Sequence, residues 1–405
     1  DRAIADNNED VRRAAVEALA SNFKDDPDTL PLLKDRAIAD NNWVVRYAAV
    51  QALVSNFKDD PGTLPWLKDR AIADNNEDVR RAAVEALASN FKDDPDTLPL
   101  LKDRAIADNN EDVRGAAVQA LASNFKDDPG TLPLLKERAI ADNDKYVRRA
   151  AVEALASNFK DDPGTLPLLK DRAIADNDGN VRRAAVEALV SNFKDDPDTL
   201  PWLKERAIAD NDGNVRRAAV EALVSNFKDD PDTLPWLKER AIADNNGNVR
   251  RAAVQALVSN FKDDPDTLPL LKERAIADND GNVRRAAVEA LVSNFKDDPD
   301  TLPWLKERAI ADNNGNVRAA AVQALASNFK DEPGMFEVFY NCAVNDPFER
   351  KEDDETNPRQ VALLAIIEQY PDHPQTLSLL RDKAANDPDE KVREFAQNKL
   401  KELDK

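Results

Sequence analysis

Apolar residues fall at Val11, Ala15, Ala18, Leu19 and Phe23, three and four apart with charged residues between them. That is the period of an α-helix and not the alternation of a strand, so the segment predicts a helix, here called helix B. Asn8 stands before it, and Asn or Asp holds the same place in every later copy, where its side chain can accept from the free amides of the first turn. Lys24 and an Asp-Asp-Pro run end the segment. A second apolar series at Leu30, Leu33, Ala37 and Ile38 predicts helix A, with Pro31 in its first turn if Thr29 is the cap. The pattern then starts over. Residues 1–34 recur nearly unchanged from Asp35, Asp69, Asp103, Glu137, Asp171, Glu205, Glu239, Glu273 and Glu307, so ten 34-residue repeats fill residues 1–340, the tenth losing the pattern after Pro333. Two short helices cannot bury both apolar faces alone, and stacking is expected to produce an all-α solenoid whose length grows with repeat number.

The period matches tetratricopeptide repeats, but their Trp, Gly and Tyr landmarks are missing. Asp6 followed by Val11-Arg12-x-x-Ala15-x-x-Ala18-Leu19 instead resembles HEAT-like repeats, particularly the short bacterial ones related to phycobilisome-lyase repeats. The resemblance covers residues 1 to about 340. It implies a right-handed α-solenoid in which helix B lines the concave, partner-binding side. It also implies a structural ladder between adjacent repeats, built from Asp6, Asp40 and Asp74 with Arg12, Arg46 and Arg80. Near-identical acidic repeats further resemble arrays attached to cyanobacterial NTPases of conflict and defence systems. No G-x-x-x-x-G-K-S/T phosphate loop occurs in the chain, so any such NTPase would lie outside it.

Numbering each repeat from 1 to 34, variation gathers at positions 9, 10, 13, 17, 20 and 32. On a helix, positions 10, 13, 17 and 20 form one stripe away from Val11, Ala15 and Leu19. A recognition surface can vary without disturbing the fold, whereas a core must keep its volume. The stripe therefore reads as a protein- or peptide-binding groove, with duplication followed by drift at exposed sites as the competing reading. Repeat two carries Trp43, Val44, Tyr47 and Gln51 where its neighbours carry charge, and Lys145 with Tyr146 interrupts repeat five. Exposed aromatics beside arginines, here Arg13, Arg81 and Arg149, have the composition of interface hot spots. Arg13 is expected to pair with Glu17, four residues on. Trp66, Trp202, Trp236 and Trp304 at position 32 all accompany Val at position 20, which marks them as packing residues.

The 405 residues carry 78 acids against 57 Lys and Arg, a net charge of -21, which argues against a nucleic-acid partner. No stretch approaches the roughly 18 uncharged apolar residues of a membrane span. One cysteine, Cys342, and one histidine, His373, allow no intramolecular disulfide and little familiar metal or hydrolase chemistry, and a cytoplasmic protein without cofactor is expected. Residues 341–405 keep echoes of the repeat around an inserted polar loop, Asn345 to Pro358, expected to be flexible, and end in an amphipathic segment expected to cap the array. Asp1 lies inside a helix A pattern, so an upstream domain in the same polypeptide is expected. The favoured reading is a non-catalytic scaffold or sensor array, one form of which is the recognition arm of a larger NTPase-containing protein; the alternatives are a phycobilin lyase-like chromophore-handling protein and an engineered consensus array.

Overall fold

The computed structural model describes residues 5–353 and 355–403. Among them are twenty-three α-helices and no strand, and the chain is an α-solenoid of helix pairs. It divides into two compact units, Asp1–Arg206 and Ala207–Lys405. Helix B of repeat one spans Glu9–Asn22, and the Asn8 side chain accepts from the amides of Asp10 and Val11 at 2.8 and 3.4 Å. Helix A follows at Thr29–Ala39. Thr29 is not its cap: it is the buried first helical residue, preceded by Asp28, whose side chain makes no capping bond.

Each helix A packs mainly on helix B of the next repeat. Within each unit, successive B helices also pack closely on one another, while successive A helices barely touch. Layers that approach more closely along one edge bend toward it, so the B helices form the inner row. Val50, Leu53, Leu67 and Ala71 of the second repeat pair are fully buried, and each such Leu contributes about 2–3 kcal/mol. Three expected core assignments change. Phe23 is 56% exposed although its equivalents Phe91 and Phe125 are half-buried, and Ile38 is 51% exposed on the outer side of helix A. Val16, in contrast, is fully buried although it lies off the expected apolar series.

Position 20 is also buried, with Ala20, Ala88 and Val190 all below 5% exposure, and so leaves the expected surface stripe, except for the half-buried Val54. Its identity divides the repeats into two classes. Where it is Ala, helix B stops at Asn22 or its equivalents and the following Phe is the C-cap, at φ near -130°, as at Phe91 and Phe125. Where it is Val, helix B takes in that Phe and runs to Phe57, Phe193, Phe227, Phe261 or Phe295. The Thr63 hydroxyl then donates to the Phe57 carbonyl at 2.8 Å, a bond repeated at Thr199, Thr233, Thr267 and Thr301. Repeat eight decides which residue sets the class: it pairs Val258 with Leu270 rather than Trp, yet its helix B still extends to Phe261. Within a unit, and among repeats one to nine, helix pairs that begin on a Val repeat are packed less closely than those that begin on an Ala repeat, as the extra methyls between rows require.

The tail continues the alternation with helices Met335–Asn345, Pro358–Gln369, Thr376–Asn386 and Glu390–Leu403. Its inserted segment is pinned rather than loose. Arg350 Nε and Asn357 Nδ2 both donate to the Asp389 carboxylate, at 3.0 and 2.8 Å, and the Arg359 guanidinium holds the carbonyls of Asp346 and Phe348. Val392 and Ala396 of the last helix are buried.

Candidate functional site

The B helices are held in register by one repeated arginine. Arg46 donates from Nε and Nη2 to the two Asp74 oxygens of the next repeat at 3.0 and 2.8 Å, and from Nη1 to the Asp40 carbonyl of its own repeat at 2.9 Å. Arg12 makes the same bonds to Asp40 and to the Asp6 carbonyl, and Arg80 to Asp108 and the Asp74 carbonyl. The rungs run from Arg12–Asp40 to Arg148–Asp176 in the first unit. In the second unit they run from Arg216–Asp244 to Arg318–Asp346, and Arg359–Asp387 in the tail keeps the 28-residue offset. The Asp6 side chain accepts from the Asn8 amide, as Asp40 and Asp74 do from the amides of Asn42 and Asn76. Burial pushes the Asp74 carboxyl up, but hydrogen bonds from Arg46 and the Asn76 amide, with the charges of Arg46 and Arg70, outweigh it and hold it below its ordinary value. The same balance lowers Asp40, Asp108 and Asp278. These arginines are thus committed to internal carboxylates and are not open to phosphate.

In front of this frame, position 13 faces the open side of the inner row, and what it does depends on position 10. Arg13 and Arg81 reach back to Asp10 and Asp78, at 3.2 and 2.8 Å, rather than forward to Glu17 and Glu85. The expected Arg13–Glu17 pairing is therefore wrong for repeat one, where an aspartate one turn earlier is nearer the guanidinium. Where position 10 is not acidic the forward pairing does form: Arg149–Glu153 lies at 3.7 Å, and Arg285–Glu289 at 3.6 Å.

Repeat two has no charge at these positions, and a groove of about 540 Å³ opens there. Trp43, Val44, Tyr47, Ala48, Gln51 and Ala52 of helix B in repeat two, Trp43–Phe57, form its floor. Arg13 and Glu17 stand on one side and Asp78 and Arg81 on the other. Trp43 is 42% exposed, so its indole is an available apolar surface rather than core. A second hollow of about 210 Å³ lies beyond Arg81, which borders both. Here Gly115 replaces the position-13 arginine, and Tyr146 and Arg149 form the far wall. Tyr146 is 50% exposed with the Arg149 guanidinium carbon 5.6 Å from its ring centre. Lys145 Nζ lies 5.5 Å from the centre of the same ring but is tied to Asp178 at 3.5 Å and does not line the hollow. Of the position-32 tryptophans, Trp66, Trp236 and Trp304 are buried and offer no binding surface.

One feature escapes a reading of the sequence pattern. Lys34 Nζ bonds Asp60 of the next repeat at 2.6 Å, and Lys238–Asp264 and Lys272–Asp298 repeat this at 2.6 and 2.8 Å. The second aspartate of the Asp-Asp-Pro turn is therefore a strut between repeats and not only a solvated turn; the invariant 26-residue offset between that Lys and Asp was the available signal. Cys342 and His373 serve packing. Burial pushes the Cys342 thiol up to about 12, and His373 stacks 3.5 Å from the Phe336 ring centre.

A family profile for HEAT repeats matches residues 1–88, 41–122, 64–156, 98–190, 132–224, 166–258 and 234–326. The chain is a HEAT-repeat protein. Among solved structures this HEAT-repeat chain is similar to Kap121p, at 17% identity and a TM-score of 0.55, over 97% of its own length and 47% of Kap121p. It is likewise similar to Kap121p bound to Nup53p, at 16% identity, a TM-score of 0.55 and the same coverage. The structure describing Kap95p binding to RanGDP matches at 17% identity and a TM-score of 0.57, over 97% of this chain and 57% of that one. The chain thus spans about half the length of these proteins, and the likeness is one of fold. No curated protein matches its sequence. No helix among the described residues is long and apolar enough to cross a membrane.

Proposed function

We propose that the array is a non-catalytic protein-interaction scaffold that binds a protein or peptide on the inner row of B helices, with its strongest contact at repeat two. The observation that carries this reading is the Trp43–Tyr47 groove: an uncharged, partly exposed aromatic floor flanked by Arg13 and Arg81, each of which is already paired with an aspartate of its own repeat. Such anchors supply most of the energy in protein recognition. Kap121p and Kap95p, which share the fold, are seen with Nup53p and with Ran, and this supports a protein ligand for the present chain.

The test is selection of displayed random twelve-residue peptides on the full chain, followed by calorimetric titration of synthesised hits. Trp43→Ala with Tyr47→Ala is expected to weaken binding by roughly 100-fold or more, while Ile106→Ala on the outer side leaves it unchanged. Hits that bind the double variant as tightly as the parent, or no hits at all, would remove repeat two as the docking point.

A further inference from the structure

The hollow at repeat four indicates what else such a ligand carries. Position 10 is aspartate in repeats one, three and four. In repeats one and three that aspartate holds the position-13 guanidinium, at 3.2 Å for Asp10–Arg13 and 2.8 Å for Asp78–Arg81. In repeat four the arginine is Gly115, and an added Cβ there would meet nothing within 4 Å. Asp112 keeps its place on the wall of the hollow, with Glu85 and Glu111 beside it, and none of the three has an ion-pair partner among the described residues. Arg81 is already engaged by Asp78, and Arg149 by Glu153. The site therefore has the carboxylate, the space and the flanking Tyr146 ring of an arginine site, but not the arginine.

We infer that the ligand supplies it: a peptide segment whose apolar side chain fills the Trp43–Tyr47 groove places an arginine in the hollow between Gly115 and Tyr146. This rests on the docking reading above and adds the identity of a second anchor. Its guanidinium would lie against Asp112 as Arg81 lies against Asp78, with a face available to the Tyr146 ring, a geometry suited to guanidinium more than to ammonium. Repeats two and four are two B helices apart, roughly 16–20 Å at ordinary helix packing distances. An extended peptide covers that in about five or six residues. The predicted recognition element is thus an apolar residue and an arginine separated by that interval.

Gly115→Arg is the decisive variant, because it restores the arrangement already present in repeats one and three and has open space to enter. Selected peptides are expected to carry the spaced apolar–arginine pair. Replacing their arginine by glutamine should weaken binding to the parent about tenfold, and replacing it should make no difference on the Gly115→Arg chain, which itself binds the original peptide about tenfold more weakly. Asp112→Asn, read in parallel, should reproduce much of the loss and flatten the salt dependence. Hits without a cation, or hits whose arginine matters equally on the parent and the Gly115→Arg chain, overturn this inference. If such hits still need Trp43 and Tyr47, the docking reading survives without it; if they need neither, both readings fall.

Discussion

Repeats two and eight are built alike where they touch their neighbours. Both carry Val at position 20 and a helix B extended through its phenylalanine, and both form a buried bidentate rung, Arg46–Asp74 in one and Arg250–Asp278 in the other. They differ at the inner surface. Repeat two presents Trp43, Val44 and Tyr47; repeat eight presents Gly247, Asn248 and Arg251. The glycine is not simply a blank. A Cβ on Gly247 would come within 1.9 Å of the Asp280 carboxylate, which caps the next B helix, and Gly213 and Gly281 are covered in the same way by Asn246 and Asn314. The comparison teaches that rungs and recognition residues are separate layers of one helix, so a surface can be rewritten while the frame stays constant.

Acid should affect both repeats most strongly, and together. Asp74 and Asp278 have native pKa values held below the ordinary 3.8, so their stabilisation is complete above about pH 4 and is lost as pH falls through the native values. Circular dichroism between pH 7 and 2 should show the array losing stability only below about pH 4; a main transition near pH 6 would break the assignment to these carboxylates. Next in size, Asp74→Ala and Asp278→Ala should each cost about 3–5 kcal/mol in urea denaturation, since each leaves a buried guanidinium unpaired. A large loss at one and none at the other would mean that the frame is not shared. Val258→Ala should cost roughly 1–3 kcal/mol and draw the end of helix B back to Asn260, measurable as a larger HN–Hα coupling at Phe261 as its φ moves toward the -131° of Phe91. Gly247→Ala should follow at roughly 1–2 kcal/mol, whereas Glu77→Ala at the same position of repeat three should stay within about 0.5 kcal/mol. Equal responses of those last two would show that the glycines carry no packing role.

The helix pairs, their order and the 34-residue stacking were legible because each rests on local periodicity repeated many times. Asn8 as N-cap was legible for the same reason. Position 20 was not: a helical wheel gives the direction of a side chain but not how near the neighbouring helix comes at that height, and Val190 or Ala88 is enclosed where Arg13 is exposed. Phe23 and Ile38 failed in the opposite sense, since apolarity in period does not guarantee a neighbouring helix to cover the side chain. The partner of Arg13 depended on a one-turn competition between Asp10 and Glu17 that spacing alone left open. The groove at repeat two could be anticipated from the uncharged Trp43, Val44, Tyr47 and Gln51, but the hollow at repeat four could not, because an isolated glycine in a repeat reads as an absence until the surrounding carboxylates are placed.

The 28-residue step from each rung arginine to its aspartate has a genealogical consequence. Because every rung joins one copy to the next by the same offset, an unequal crossover that inserts or removes a whole copy leaves each remaining arginine with a matching acceptor. The gene can change length in whole copies without stranding a charge inside the protein, so copy number can vary by recombination far faster than the interior can vary by substitution.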